Sequence, residues 1–243
     1  MLSEELNDGR HARSRATRER ILLAAERLFA ESGIANVSLR DVGVAADQKN
    51  NMVVQYHFGD RDNLILQIII YRGGITEKVR LGLLAKIMSG KKPPQVCDYV
   101  RIFVISLASS LAAENYFLRF LSRLVVERGG IPNQTVPQAS IDLMRKVMHE
   151  LLPHLPDAVI EQRWQILMAS AVHMLASYQA ADASGTLRVP FDELLDDLVD
   201  FLTAGLSAPY RGVQRGPAGG REAVGRAKRS RVGVDVTPRK RYK

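Results

Sequence analysis

Residues 47–64 read DQKNNMVVQYHFGDRDNL. Asn50, Asn51, Gln55, Tyr56 and His57 crowd hydrogen-bonding side chains onto one short segment, while Val54 and Phe58 fall on its other side. At helical spacing this predicts a helix over Asn50–Phe58 with one polar and one apolar face, stopped by Gly59. Asp47–Lys49 reads as the tight turn before it.

The flanking sequence repeats the helical signature. From Thr17, the residues Ile21, Ala25, Leu28 and Phe29 fall on one face, and Gly33 follows as a left-handed cap. Ser38, with Asp41 three residues on, reads as a capping box opening a second helix whose apolar side is Leu39, Val42 and Ala46. After Gly59, Asp60 caps a fourth helix running to about Val79, with Leu64, Ile65, Ile68 and Ile69 inward. Three short helices, the last two joined by a tight turn, make a helix-turn-helix. In that motif the later helix enters the DNA major groove. Asparagine and glutamine pair with adenine edges, and valine methyls touch thymine methyls. Tyrosine, histidine and arginine hold phosphates, which set register without reading sequence. Asn50, Asn51, Val53 and Gln55 are therefore the candidate base readers. Tyr56, His57 and Arg61 are candidate phosphate clamps, Lys49 lies beside them in the turn, and Val54 and Phe58 are expected in the core.

The rest of the chain is also read as helical, near 80–89, 95–112, 115–128, 138–152, 157–181 and 190–206. Gly90, Pro93, Pro94, Gly129, Gly130, Pro132, Pro137, Pro153, Pro156, Gly185 and Pro190 mark the breaks. No alternating pattern persists long enough for a sheet, so the expected fold is all-α.

The 243 residues carry 46% hydrophobic and 25% charged residues, with a net charge of +8. That charge is unevenly placed. Residues 207–243 hold eleven Arg or Lys against Glu222 and Asp235, about +9, and leave the remainder near −1. The tail is expected to be disordered, and it could bind DNA nonspecifically by counterion release. Residues 1–16 read as a flexible basic arm, and Arg13, Arg15 and Arg18 are candidates for extra phosphate or minor-groove contacts. No apolar run reaches the roughly 18 residues of a membrane span. The charged first twenty residues do not resemble a secretory signal, and the single cysteine, Cys97, allows no intrachain disulfide. A cytoplasmic protein without membrane association is expected.

No catalytic signature in the sequence is complete. HELLPH at 149–154 imitates a zinc HExxH motif, but the fourth residue after His149 is Pro153. The lysines after Gly90 lack the earlier glycine and the hydroxyl residue of a phosphate loop, and there is no G-x-S-x-G. No enzyme activity, cofactor or metal site is expected.

The pieces ILLAAERLFAESG, SLRDV and YHFGDRDNL, within about residues 17–72, together resemble the amino-terminal domain of the tetracycline-repressor (TetR) family of regulators. The resemblance implies an all-α homodimer that binds double-stranded DNA, acting as a repressor on a pseudo-palindromic operator and answering to a small-molecule effector. It implies that Ser38 and Arg40 approach the DNA backbone and that Arg61 replaces the usual basic residue opening the fourth helix. There are departures. Asp47 stands where the family usually has glycine, and aspartate tolerates the left-handed conformation better than most residues. The turn is one residue longer than common. Gly43 stands in place of a usual alanine, expected to weaken its helix by about 1 kcal/mol.

The expected organisation is an arm over 1–16, a helix-turn-helix domain over 17–60, a ligand-binding and dimerisation domain over 61–206, and the tail over 207–243. Aromatic and methionine residues at helical spacing are ordinarily core. With the resemblance, Tyr99, Phe103, Phe117, Phe120, Leu121, Leu124, Trp164, Met168 and His173 become candidates for a largely hydrophobic effector pocket. Helices 157–181 and 190–206 are the expected dimer element, through Phe191, Leu194, Leu195, Leu198, Phe201 and Leu202 beside Trp164, Leu167, Ala171 and Leu175. Two other readings stay open: a helical ligand-binding protein or enzyme whose helix-turn-helix does not read sequence, and a nonspecific DNA binder driven by the tail.

Overall fold

The computed structural model describes residues 2–50, 52–112, 114–130 and 139–210, with side chains in the first helix from Ala12 onward. The tail beyond Tyr210 and the expected base reader Asn51 lie outside the described residues. These residues form α1 (Leu2–Ser32), α2 (Leu39–Ala45), α3 (Val53–Phe58), α4 (Arg61–Met88), α5 (Val96–Ala108), α6 (Phe117–Arg128), α7 (Ala139–Leu151), α8 (Asp157–Ala183) and α9 (Phe191–Ser207), and no strand. The all-α expectation holds.

The largest boundary differences from the sequence reading are in α1 and α4. The backbone of 2–16, expected as an arm, continues α1 as helix. That stretch has no proline and one glycine, Gly9, among good helix formers, so nothing local ends the helix. Segments 60–79 and 80–89 join into the single helix α4. No proline or capping residue separates Val79 from Arg80, and the chain keeps an inward face through Leu84.

Helix α1 buries Ile21, Leu22, Ala25 and Phe29, which belong to one apolar core with Val54 and Phe58 of α3 and Leu64 and Ile68 of α4. The same core extends through Phe120 of α6 to Trp164 of α8 and Leu202 of α9. Helix α1 packs on α6 as well as on α2 and α4. The Phe29 and Phe120 rings stack at 6.1 Å between centroids. Helix α1 ends at Gly33, whose φ is +86°. A Cβ there would lie 2.8 Å from Glu127 Oε1, the movable end of a side chain, so it is the left-handed backbone conformation that favours glycine.

Helix α4 has two ends with different partners. Its first half gives Leu64, Ile65, Ile68 and Ile69 to the core beside α1 and α3. Its second half buries Arg80 at 1% exposure. A buried guanidinium must be paired. Arg80 donates to Glu77 Oε2 at 2.9 Å, Ser106 Oγ at 3.0 Å and Ser140 Oγ at 3.0 Å, and lies 5.6 Å from the Phe103 ring centroid. Glu77 Oε1 in turn accepts from the Ser140 backbone N–H at 2.8 Å, so one polar cluster ties α4 to α5 and α7.

Near the surface, His149 of α7 sits between two carboxylates of α8, with Nδ1 2.9 Å from Asp157 Oδ1 and Nε2 3.0 Å from Glu161 Oε1. The Glu161 and Asp157 contacts raise its pKa above the ordinary 6.5. The histidine of the apparent zinc motif is thus an ion-pair partner, and among the described residues no group of three His, Cys, Asp or Glu is placed to hold a metal. No described helix is long and apolar enough to cross a membrane.

Two predictions follow from these contacts. Arg80→Ala leaves Glu77 with a lost partner in the interior and should lower unfolding free energy by about 3–5 kcal/mol in urea titration. Because the folded-state pKa of His149 is raised, its stabilisation is fully present below pH 6.5 and is lost as pH rises through the folded value. Between pH 6 and pH 8, wild type should lose more melting temperature than His149→Gln.

Candidate nucleic-acid interface

Helix α2 starts as its sequence dictates. The Ser38 hydroxyl accepts from the Asp41 N–H at 3.2 Å, and the Asp41 carboxylate accepts from the Ser38 N–H at 2.9 Å and its hydroxyl at 2.6 Å. The Ser38 hydrogen bonds hold the Asp41 carboxyl below its ordinary pKa. Ser38, expected to approach DNA, therefore has its hydroxyl committed to the cap.

The turn closes as a Schellman motif. The Gln48 N–H bonds the Gly43 carbonyl at 2.9 Å and the Asp47 N–H bonds that of Val44 at 3.0 Å. Asp47 has φ 53°, and among the described residues no other non-glycine residue has positive φ. Asn50, expected on the reading helix, lies before it, because α3 begins at Val53. Its Oδ1 accepts from the Met52 N–H at 2.9 Å, so its carbonyl end shapes the turn.

Within α3, Val54 and Phe58 are buried and Gln55 and Tyr56 are exposed, as the pattern predicted. Tyr56 is 85% exposed, an unusual position for a large aromatic ring without a partner surface. Val53 is half-buried and packs against the core, which turns it partly away from the outer face. His57 is half-buried, and burial together with the nearby Arg18 charge lowers its pKa, so its ring is neutral at pH 7. Arg40 and Lys49 are exposed. Arg61 instead points to the α1–α2 loop, with Nη1 3.5 Å from the Ala35 carbonyl.

Arg18, a candidate DNA contact in the sequence, is engaged within the fold. Its guanidinium lies 4.5 Å from the Phe58 ring centroid, donates to the His57 carbonyl at 3.1 Å and reaches Gln67 Oε1 at 2.5 Å. It thereby clasps the end of α3 to α4. Sequence reasoning also passed over Met52, 59% exposed beside the turn, which its place in the quoted run could have suggested. Glu127 of α6 was missed too. Its Oε2 accepts from the Ile34 N–H at 2.9 Å and the Ala35 N–H at 3.2 Å, and no sequence signal pairs residues so far apart.

The nine expected effector contacts separate differently. Tyr99, Phe103, Phe117, Phe120, Leu121, Leu124, Trp164 and Met168 are buried core residues. Phe103 packs on Trp164 at 5.8 Å, and Phe117 on Phe120 at 6.4 Å. His173 is exposed, with Nδ1 3.1 Å from Ser122 Oγ. Two clefts among the described residues are lined by none of the nine. One, about 650 Å³, runs along α1 between Ala45–Asp47 and Tyr71–Arg72. The other, about 60 Å³, lies between the α5–α6 connection and the end of α8.

A Cβ on Gly43 would meet Val54 Cγ2 at 3.5 Å, an ordinary contact, so packing does not require glycine there. Gly43→Ala should therefore raise stability by about 1 kcal/mol. Asp47→Val should lower it by about 1–2 kcal/mol through the left-handed backbone, while Asp47→Gly should not. Thermal and urea unfolding of the three variants checks both.

Residues 103–205 match the family model described as "Tetracyclin repressor-like, C-terminal domain". No curated protein matches the chain. Among solved structures, the chain is similar to a TetR-like transcriptional regulator from Rhodococcus sp. RHA1, at 16% identity and TM-score 0.46, covering 78% of this chain and 93% of that one. It is similar to a TetR-family regulator from Streptomyces coelicolor A3, at 17% identity and TM-score 0.42, covering 79% and 94%. A TetR-family transcriptional regulator from Pectobacterium atrosepticum is 21% identical, with TM-score 0.37 and coverage of 80% and 92%. At these scores the structural likenesses carry no argument, and what the domain match shows is that residues 103–205 are similar to the carboxy-terminal domain of tetracycline-repressor-like regulators.

Proposed function

We propose that the protein is a ligand-responsive repressor, acting in the cytoplasm, that binds a pseudo-palindromic operator as a homodimer. The observation that carries this reading is α3, which buries Val54 and Phe58 and leaves Gln55 and Tyr56 exposed. Gln55 is assigned to base edges and Tyr56 and the neutral His57 to phosphate, with Arg40 and Lys49 adding charge at the rim. Asn51 keeps its assignment as a base reader from the sequence. Asn50, Val53, Ser38 and Arg61 become supporting residues, because the contacts described above engage them within the fold.

The dimer surface is assigned to the outer faces of α8 and α9. Most residues expected there, including Trp164, Leu167, Ala171, Leu175, Leu198 and Leu202, are buried within the chain. The apolar residues left outside are Ile166, Met174 and Phe201, exposed by 57%, 40% and 71%. A two-fold pairing of these faces would carry two reading heads to successive major grooves, about 34 Å apart. An effector acts by preferring one arrangement of α4, since that helix holds Leu64–Ile69 in the amino-terminal core and Arg80 among α5 and α7.

Selection from a random duplex pool at near-physiological salt tests the reading. The whole chain and a 1–206 truncation should enrich the same two-fold symmetric site, and Gln55→Ala/Tyr56→Ala should lose it. Enrichment that needs residues 207–243 would replace this reading with nonspecific, tail-driven binding.

A further inference from the structure

The small cleft at the end of α8 is lined by a residue with a polar atom that the fold does not satisfy. Gln179 is 8% exposed. Its Nε2 donates to the Ala112 carbonyl at 2.9 Å and the Asn115 carbonyl at 2.7 Å, which fixes the orientation of the amide. Its Oε1 is buried and has no donor among the described residues. An acceptor in that position is destabilising unless a donor reaches it. Gln179 lines the cleft together with Asn115, Tyr116, Arg119, Tyr178 and Asp182.

The charges around that acceptor are balanced and placed on different elements. Asp182 lies one turn beyond Gln179 on α8. Arg119 belongs to α6, with its guanidinium 5.5 Å from the Tyr116 ring centroid. A carboxylate and an unmet amide oxygen on two residues lining one cleft suit an ammonium group, which brings three donors. A guanidinium suits a carboxylate. The volume, about 60 Å³, corresponds to roughly four or five water-sized groups, enough for a small molecule and too little for a large one.

We infer that this cleft is a binding site for a small aminocarboxylate, whose ammonium group meets Gln179 Oε1 and Asp182 and whose carboxylate meets Arg119. The site adjoins the contact between α1 and α6. Tyr116 lines the cleft, and its backbone N–H donates to Glu26 Oε1 of α1 at 3.1 Å. Glu26 is also held by Arg72 of α4. Occupancy would thus bear on a segment bonded directly to the helix-turn-helix core. As a site for the effector, the inference rests on the ligand-responsive reading above; as a binding site, it does not.

The test uses the full chain without DNA. Glycine, β-alanine and γ-aminobutyrate, which separate the two charges by increasing lengths, are titrated by calorimetry against propylamine and propionate, which carry one charge each. At least one aminocarboxylate should bind saturably, with both single-charge probes roughly tenfold or more weaker. Asp182→Asn, at an exposed position, should weaken that binding by a similar factor without changing the melting temperature. Gln179→Leu should abolish it. No saturable binding by any of the three, equal binding of propylamine or propionate, or an unaffected Asp182→Asn would overturn the site. Binding that leaves operator affinity unchanged would support the site and remove only its role as effector.

Discussion

The structure depends on one buried carboxylate. The side chain of Glu26, in the middle of α1, is 2% exposed. A carboxylate so enclosed is stable only when charge and hydrogen bonds surround it. Arg72 of α4 supplies two bonds, at 2.6 and 3.0 Å, and the Tyr116 N–H at the start of α6 supplies a third. Three helices are thereby held at one point, and the stacked Phe29 and Phe120 rings continue the α1–α6 contact. Relative motion of α4 and α6 must either carry α1 along or break a bond to Glu26. Such a constraint turns small displacements in the carboxy-terminal helices into movement of the amino-terminal ones.

Helix α3 is stabilised by the same kind of non-local contact. A six-residue helix has no stability of its own. Helix α3 persists because Val54 and Phe58 are buried, Asp47 closes the turn before it, and Arg18 holds its last residues from α1. Its outward side chains can then be polar, since the inward ones and the clasp supply the stability. The pKa of His57 is lowered first by burial of its ring and then by the positive charge that the clasp brings beside it. On the far side of the loop, Glu127 caps the backbone at Ile34 and Ala35, so α6 borders the α1–α2 loop directly.

Local chemistry was legible in the sequence. The Ser38–Asp41 capping box, the Asp60 cap, the left-handed Asp47, the cap at Gly33 and the inward Val54 and Phe58 each depend on residues only a few positions apart. Their energies are set by short-range backbone geometry. The same is true of the helix count beyond α4. The roles of Arg18, Arg61, Ser38 and Asn50 were not legible, because a polar side chain that could meet DNA could equally meet a carbonyl or a cap. Only the position of another element decides between them. Aromatic residues such as Phe103 and Trp164 raised the same ambiguity, since the spacing that lines a pocket also fills a core.

The sequence by itself determined the helices, their caps, the helix-turn-helix and the polar face of α3, for the physical reason that hydrogen-bonding and apolar periodicity act within a few residues. Tertiary structure alone decided which charges are used internally. Glu26 meets Arg72 and Tyr116, Arg80 meets Glu77, Ser106 and Ser140, and Glu127 meets the α1–α2 loop. Most of those partners stand tens of residues apart, and burial makes the pairing obligatory only once the helices have packed.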